Sequence, residues 1–600
     1  MSATEHLLHR ADALLREGDV RGAADLYRLT LDRAPRNPDA LAGLGRVFLA
    51  SGQAAPAVTA LGAALLAAPH RLDIRADLAV AQARNGAPAL ALVTAEDLPP
   101  TEGALEFRAR QLEALGRRDD ALALLDDALT HDAASLALRR LAGALARRAE
   151  RWTEAETHWR RLTELAPTDA AAWSSLGNTL AALGRDTEAE AALRRALDLA
   201  PGEADWWYNL AHHLIARNRL EEALGPAERA TTLAPDRAHA WTNLGVCRLG
   251  LGDVAGALAA HETAIRLDPN EPEARYDLAW AQLTAGLWRE GWANHEARWA
   301  MPRFTSRRAP PPGRPWDGAP LAPGETLLLH AEQGLGDSLM MARLLPATLD
   351  RARSRAGAQA RVVLECPATL SRLFETLPGL DAVAPRAETP PEADAQAALM
   401  SLPHLLDVTA ESIPGAPPWL IAPPHPPWLI APPPPPIAAV DGPRVGVVWR
   451  GAPENRMDIL RSCPPEALAP LFALDHVRWI SLQWGEAEPP HPAVAPGLLG
   501  ARDMADTAAV LRTLDLVIGV DTSVVHLAGA LGLEAWVLLA RVPDYRWMLD
   551  REDSPWYPTL RLFRQTRRGE WGPVVTRVVE ALTGRFPPRS RSPWITAPHR

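Results

Sequence analysis

Apolar residues recur along the first half of the chain at the spacing of amphipathic helices. A block such as PTDAAAWSSLGNTLAALGRDTEAEAALRRALDLA reads as two such helices, a turn, and a proline where the next pair begins. The block then repeats. Prolines 167, 201, 235 and 269 fall 34 residues apart, and Trp173, Trp207 and Trp241 keep the same step. Leu176, Leu210, Leu244 and Leu278 do too, each followed by a small residue: Gly177, Ala211, Gly245 and Ala279. The register shows earlier at Pro35 and Pro69 and at Leu44, Leu78 and Leu112, then slips by about four residues before Ala142-Gly143. The pattern predicts eight or nine helix pairs over residues 3–301.

This period resembles the tetratricopeptide repeat (TPR). In such an array each pair buries its apolar face against its neighbours, so most of the leucine and alanine is expected in the core and most of the tryptophan at the packing seams. The resemblance implies a concave groove suited to a peptide or an extended protein segment. A spacer or dimerisation role fits the same pattern.

After a bridge rich in proline and arginine (302–323), short apolar runs bounded by turns replace the helical period. GETLLLHAEQ, ARVVLEC, LDAVAPR and AQAALMSL read as strands of a first α/β lobe over 324–412. RVGVVWRG, VRWISLQWG, LDLVIGV, EAWVLLA and LRLFRQ read as strands of a second lobe over 443–585, followed by a tail at 586–600. Strands alternating with helices predict parallel, doubly wound sheets whose C-terminal edges face a shared cleft. Between the lobes, over 413–442, proline density predicts a stiff extended linker, and PPWLIAPP occurs twice, at 417–424 and 426–433.

Composition narrows the function. A net charge of −10 argues against general nucleic-acid binding, and no apolar run is long enough to span a membrane. The N-terminus lacks the apolar core of a signal peptide, so a cytoplasmic location is expected. Cys247, Cys366 and Cys463 form no CxxC pair. There is no lysine; all 63 basic residues are arginine, which excludes Schiff-base lysine chemistry and a phosphate-binding lysine.

Candidate chemistry gathers in three stretches. In VDTSVVHLAGALG, Asp521 ends a strand and suits a helix N-cap, with Thr522, Ser523 and His526 following at the helix start. Hydroxyls, free N–H groups and an imidazole there suit a diphosphate; an ordinary capped helix with a packed histidine is the other reading. In HAEQGLGDSLMMARLLP, Gly334 and Gly336 allow a tight turn close to a ligand, and Asp337 is either a helix cap or a base for an acceptor hydroxyl. Glu332 is the second carboxylate near that cleft. In WRGAPENRMDILRS, Arg450, Arg456 and Arg461 cluster where arginine can grip phosphate. Asp506-Thr507 is expected to cap another helix.

Together AEQGLGDSLMMARLLP, GVVWRG…RS, SLQWG, DMADTAAVLRTLDLVIGVDTSVVHLAGALG and WMLDREDSPWYPTLRLFRQ resemble the catalytic half of bacterial TPR-containing glycosyltransferases, relatives of the heptosyltransferases. The resemblance covers nearly the whole chain. It implies a TPR superhelix followed by a two-lobed GT-B fold, and sugar transfer from a nucleotide-sugar without a metal or further cofactor. It places the base at Asp337 and the donor diphosphate on Asp521, Thr522 and His526. It also implies a protein acceptor recruited by the repeats, flagellin among the candidates. Where the family carries an asparagine-, histidine- and lysine-rich run after the first strand of the second lobe, this chain has APENRMDIL. A non-catalytic TPR scaffold and a transferase acting on a lipid-linked saccharide are the alternatives.

Overall fold

The computed structural model describes residues 2–301, 304, 311–356, 359–387, 389–424, 442–451, 458–485 and 491–588. The chain divides into two compact units, Met1–Asn218 and Arg219–Arg600. The first consists of helices α1 (Ala3–Arg16) to α13 (Ala204–Ala216). The second begins with the remaining helices of the array, α14 (Leu220–Leu233) to α18 (Trp288–His295), and continues into two parallel sheets.

Successive first helices of the pairs start 34 residues apart, as at α11 (Ala170–Ala182) and α13, and the second helices are mostly 14 residues long. The register slip falls earlier than the sequence places it: α6 (Pro88–Glu96) is only 9 residues long, so α7 (Glu102–Ala114) starts 30 residues after α5 (Leu72–Arg84), and Leu112 does not hold the helix position of Leu44 and Leu78. Several turns between pairs are also tied. The indole N–H of Trp173, Trp207 and Trp241 donates to the carbonyl of the proline six residues earlier, at 2.9–3.0 Å. Arg75 and Arg275 make the same reach to Pro69 and Pro269. These tryptophans therefore fasten turns as well as filling seams, and arginine replaces them without loss of the bond.

The first α/β lobe carries β1 (Arg314–Pro315), β2 (Thr326–His330), β3 (Arg361–Cys366), β4 (Ala382–Pro385) and β5 (Ala395–Ala398), in spatial order β1-β5-β2-β3-β4. Its helices are α19 (Leu335–Met341), α20 (Leu345–Arg353), α21 (Ala368–Phe374) and α22 (Leu402–Leu405). β1 lies in the bridge read as linker: Arg314 and Pro315 pair with Ala395 and Gln396, and Trp316 and Leu321 are buried behind them. Only two residues long and at the sheet edge, it tolerates its proline.

The second lobe has β6 (Arg444–Val448), β7 (Arg478–Ser481), β8 (Val494–Pro496), β9 (Leu516–Val520), β10 (Ala535–Leu539) and β11 (Leu560–Arg564), in order β11-β10-β9-β6-β7-β8. Its helices are α23 (Asp458–Arg461), α24 (Ala469–Phe472), α25 (Met504–Leu511), α26 (Ser523–Ala530) and α27 (Gly572–Arg585). All assigned strand pairs are parallel. Both lobes are doubly wound, and strand order reverses between β2 and β5 in the first and between β6 and β9 in the second. Ligands of such sheets bind beyond the strand C-termini at those reversals.

The end of the repeat array is built into this unit. Trp288 stacks on Trp556 with ring centroids 5.4 Å apart, Trp292 meets Tyr545 edge-on at 5.4 Å, and Trp280 of α17 (Pro272–Thr284) meets Tyr545 at 5.2 Å. Trp288, Trp292, Tyr545 and Trp556 are at most 2% exposed.

The expected interlobe linker is in part core. Trp419, Leu420 and Ala422, from the first PPWLIAPP copy, are buried among residues of both lobes. The second copy lies outside the described residues, as does Arg456.

Candidate functional site

Asp521 follows β9 directly, at the strand reversal of the second lobe, and α26 starts two residues later. Thr522, in extended backbone, occupies the N-cap position that the sequence assigns to Asp521. The Asp521 carboxylate is drawn away by His526, whose Nε2 lies 3.2 Å from Oδ1. The imidazole Nδ1 is 2.7 Å from the Tyr557 hydroxyl. An ionised carboxylate only accepts, so Nε2 carries a proton toward Asp521. Burial raises the Asp521 pKa, but the hydrogen bond from His526 and the charges of Arg546 and Arg461 outweigh it and hold the carboxyl well below its usual range. His526 is 2% exposed. It therefore braces Asp521 from within the core instead of standing at the helix mouth.

What remains at that mouth is Thr522, Ser523 and the first-turn N–H groups. The Thr522 hydroxyl caps nothing, and its Oγ1 is buried without a hydrogen-bond partner. Ser523 is half-buried beside it. A helix start of this kind accepts an anion. Arg461, on α23, is close enough for its charge to act on Asp521. Arg450 is exposed just beyond β6, where its backbone exchanges hydrogen bonds with the Gln483 side chain.

From the first lobe, α19 packs on α26. Gly336 serves this contact: a Cβ there would come within 2.7 Å of His526 Cδ2, so its bareness admits the imidazole instead of tightening a turn. The N-cap of α19 is Gly334, and Asp337, three residues in, accepts the Gly334 N–H at 3.0 Å through Oδ2. Asp337 Oδ1 accepts from Arg546 Nη2 at 2.7 Å. Arg546 also donates through Nε to Asp544 at 2.7 Å and stands 3.4 Å from His526 Nε2. Burial pushes Asp544 up, while burial lowers and the two aspartates raise Arg546, leaving it firmly charged. Arg546, Asp544 and Tyr557 come from the irregular segment between β10 and β11; Tyr557 falls within WMLDREDSPWYPTLRLFRQ, but the sequence singles out none of the three as a site residue. The Asp506 reading also shifts: Asp503 caps α25, and buried Asp506 is ion-paired to Arg372 of the first lobe.

Glu332 lies at the other strand reversal, just past β2. Its Oε1 accepts from fully buried Arg298 at 3.1 Å, and Arg298 also reaches Ser401 beyond β5 at 2.8 Å. Burial pushes the Glu332 carboxyl up to about 7, against the lowering charge of Arg298. An unfolded glutamate titrates near 4.3. Between those values the native state keeps a proton that the unfolded chain has released. This contribution to stability is therefore complete below about pH 4 and lost as pH rises to 7. In Glu332→Gln the fall in unfolding free energy from pH 5 to pH 8, measured by urea denaturation, is expected to be smaller by on the order of 1–3 kcal/mol.

Models of the tetratricopeptide repeat match residues 14–69, 143–204, 208–272 and 248–290. The helical array is made of tetratricopeptide repeats. Among known proteins, Protein FlbA of Caulobacter vibrioides is 30% identical over 319 residues, which cover 49% of this chain and 52% of FlbA. The match thus spans about half the length of that relative. Among solved structures, a tetratricopeptide repeat protein from Parabacteroides merdae is 18% identical over 41% of this chain and 98% of its own, with a TM-score of 0.32. MamA from Desulfovibrio magneticus is 21% identical over 27% and 91%, with a TM-score of 0.25. Beyond the TPR array, the α/β half adds two parallel, doubly wound sheets. Among the described residues no helix is long and apolar enough to cross a membrane.

Proposed function

We propose that the protein is a cytoplasmic GT-B glycosyltransferase that moves a sugar from a nucleotide-sugar to a hydroxyl of a polypeptide held by the TPR array, flagellin being one candidate. The observation that carries this reading is the start of α26: an open first turn at a strand reversal, with a buried N-cap hydroxyl that bonds to nothing. The donor diphosphate would lie on the N–H groups, Thr522 and Ser523, with Arg461 adding charge. The acceptor oxygen attacks the anomeric carbon, and the bond from that carbon to the diphosphate breaks with its electron pair leaving on the nucleotide. The hydroxyl proton passes to a first-lobe carboxylate, Asp337 by the family resemblance. Helix-start donors and arginine meet the charge of the leaving group, so neither a metal nor a further cofactor has a part in this reading.

A second reading is a TPR scaffold whose α/β half no longer turns over. It is favoured by Asp337, whose two oxygens are both engaged, and by the burial of His526.

Thermal unfolding with UDP-, GDP-, ADP- and CMP-sugars, in wild type and Thr522→Val, separates the two. Valine fills the same space without the unpaired hydroxyl, so the unliganded variant is expected to be at least as stable as wild type. One nucleotide class should stabilise wild type, by about 2.7 kcal/mol at a hundred times its dissociation constant, and the variant clearly less. No stabilisation by any donor would leave the scaffold reading standing.

A further inference from the structure

Arg546 leaves part of its hydrogen-bonding capacity unspent, and the unspent part faces the start of α26. A guanidinium carries five N–H groups and accepts no bond. Nε donates to Asp544 Oδ1 at 2.7 Å, and Nη2 divides between Asp337 Oδ1 at 2.7 Å and Asp544 Oδ2 at 3.2 Å. Only the two groups on Nη1 remain, and their one polar contact among the described residues is His526 Nε2, at 3.4 Å. That nitrogen already holds the proton it gives to Asp521, while Nδ1 is the one that accepts, from the Tyr557 hydroxyl. Two donors therefore confront each other, and nothing among the described residues accepts from Nη1.

Those donors lie where a ligand at the α26 start can meet them. The charge of Arg546 acts on Asp521, as that of Arg461 does. Asp521 directly precedes Thr522, the N-cap whose Oγ1 is also without a partner. The junction between the lobes is not sealed over these groups. Arg546 and Asp521 each keep 10% of their side-chain surface open and Asp337 keeps 15%, whereas Arg298 keeps none. An anion here also meets the carboxyls of Asp337, Asp544 and Asp521. Arg461 offsets one of these charges, and burial pushes the Asp544 carboxyl up, toward its neutral form.

We propose that Arg546 is a donor-binding residue: Nη1 takes a phosphate oxygen of the donor at the α26 start while Nη2 stays on Asp337. This role rests on the nucleotide-sugar reading of the site and adds to it the group that joins its two halves. Arginine suits the task because its N–H groups are fixed in one plane and bond carboxylate and phosphate alike. The negative charge that gathers on the leaving nucleotide then meets a guanidinium already in place, with no rearrangement needed at the moment of transfer. Through the same rigid group the leaving phosphate and the first-lobe carboxylate are held in fixed relation across the lobe boundary.

Calorimetric titration of the full-length chain with UDP, GDP, ADP, CMP and inorganic pyrophosphate tests this. Wild type should bind one nucleotide class. Arg546→Lys keeps the charge but not the planar fork, and should weaken that nucleotide about tenfold or more. The sharper variant combines Arg546→Met, Asp337→Asn and Asp544→Asn. It removes one positive and two negative charges, so by charge alone it would bind an anion more tightly. Loss of the Nη1 donors should instead weaken nucleotide and pyrophosphate alike, about tenfold or more, with the melting temperature of the unliganded chain close to wild type. Affinity equal to wild type or better in this triple variant overturns the proposal, as does a loss that spares pyrophosphate. Should the triple variant melt early, Arg546→Lys decides, and unchanged affinity there overturns it. If wild type binds no nucleotide, the nucleotide-sugar reading fails and this role with it. If Thr522→Val weakens binding and the triple variant does not, only the role of Arg546 fails.

Discussion

Arg546→Ala is expected to destabilise the C-terminal unit by about 3–5 kcal/mol, the usual cost of removing one partner from a buried ion pair. Asp337, Asp544 and Arg546 have side chains 15%, 17% and 10% exposed, so solvent offers little compensation for the lost guanidinium. The variant strands two carboxylates beside a third, Asp521. It also frees α19 from the segment before β11, because the Arg546–Asp337 bond joins the lobes. Urea denaturation should show the loss, and it should grow as pH rises, because burial pushes the Asp544 carboxyl up and the guanidinium that opposes this is gone. Replacing Arg546 by methionine and both Asp337 and Asp544 by asparagine should recover much of it, since removing all three partners leaves no unpaired charge. A loss below 1 kcal/mol would mean that the network is solvated and does not hold the lobes.

Deleting residues 1–300 is expected to leave an α/β half that does not fold, whereas deleting 1–218 should leave a folded, cooperative unit. The longer deletion removes Trp280, Trp288, Trp292 and Arg298. It bares Tyr545 and Trp556 and leaves Glu332 buried without its cation. Each large aromatic side chain brought to water costs about 1.5–3 kcal/mol. Two of them, with an unpaired buried carboxyl, rival the 5–15 kcal/mol by which a domain is stable at all. The shorter deletion cuts at the boundary between the compact units. Solubility and the sharpness of the thermal transition distinguish the two. A soluble, cooperatively melting 301–600 fragment would show that the aromatic joint is dispensable.

The fold was legible where local pattern governs it. The 34-residue period and nine of the eleven described strands follow from spacing and apolar runs, while the slip, read near residue 142, falls at the short helix α6. β1 and β8 escaped because two or three residues in stretches dense with proline have no periodicity, and only pairing with β5 and β7 makes them strands. At the site, sequence set Asp521, Thr522, Ser523 and His526 side by side at the helix mouth, but it could not apportion their bonds or place His526 in the core. Asp521 looked like a cap because it precedes a helix; in the fold a nearer claim, from His526, takes its carboxylate. Arg546 and Tyr557 did not stand out as site residues for a related reason, although Tyr557 lies within WMLDREDSPWYPTLRLFRQ. They lie 20 and 31 residues beyond His526 in an irregular segment, and only tertiary packing returns them to it.

The aromatic joint between the last helix pair and the α/β lobes bears on how such a chain can change length over evolutionary time. A stack of repeats must end in a pair whose outer face tolerates water, and that requirement normally fixes the sequence of the final pair. Here the outer face of α18 is roofed by Tyr545 and Trp556. The final pair is thus released from the demand for a polar surface and bound to these particular rings. Duplication or loss of a 34-residue block can occur upstream, where each pair meets another of its own kind. At the last pair the same event would set a standard repeat against a surface that recognises three tryptophans, and selection would remove it.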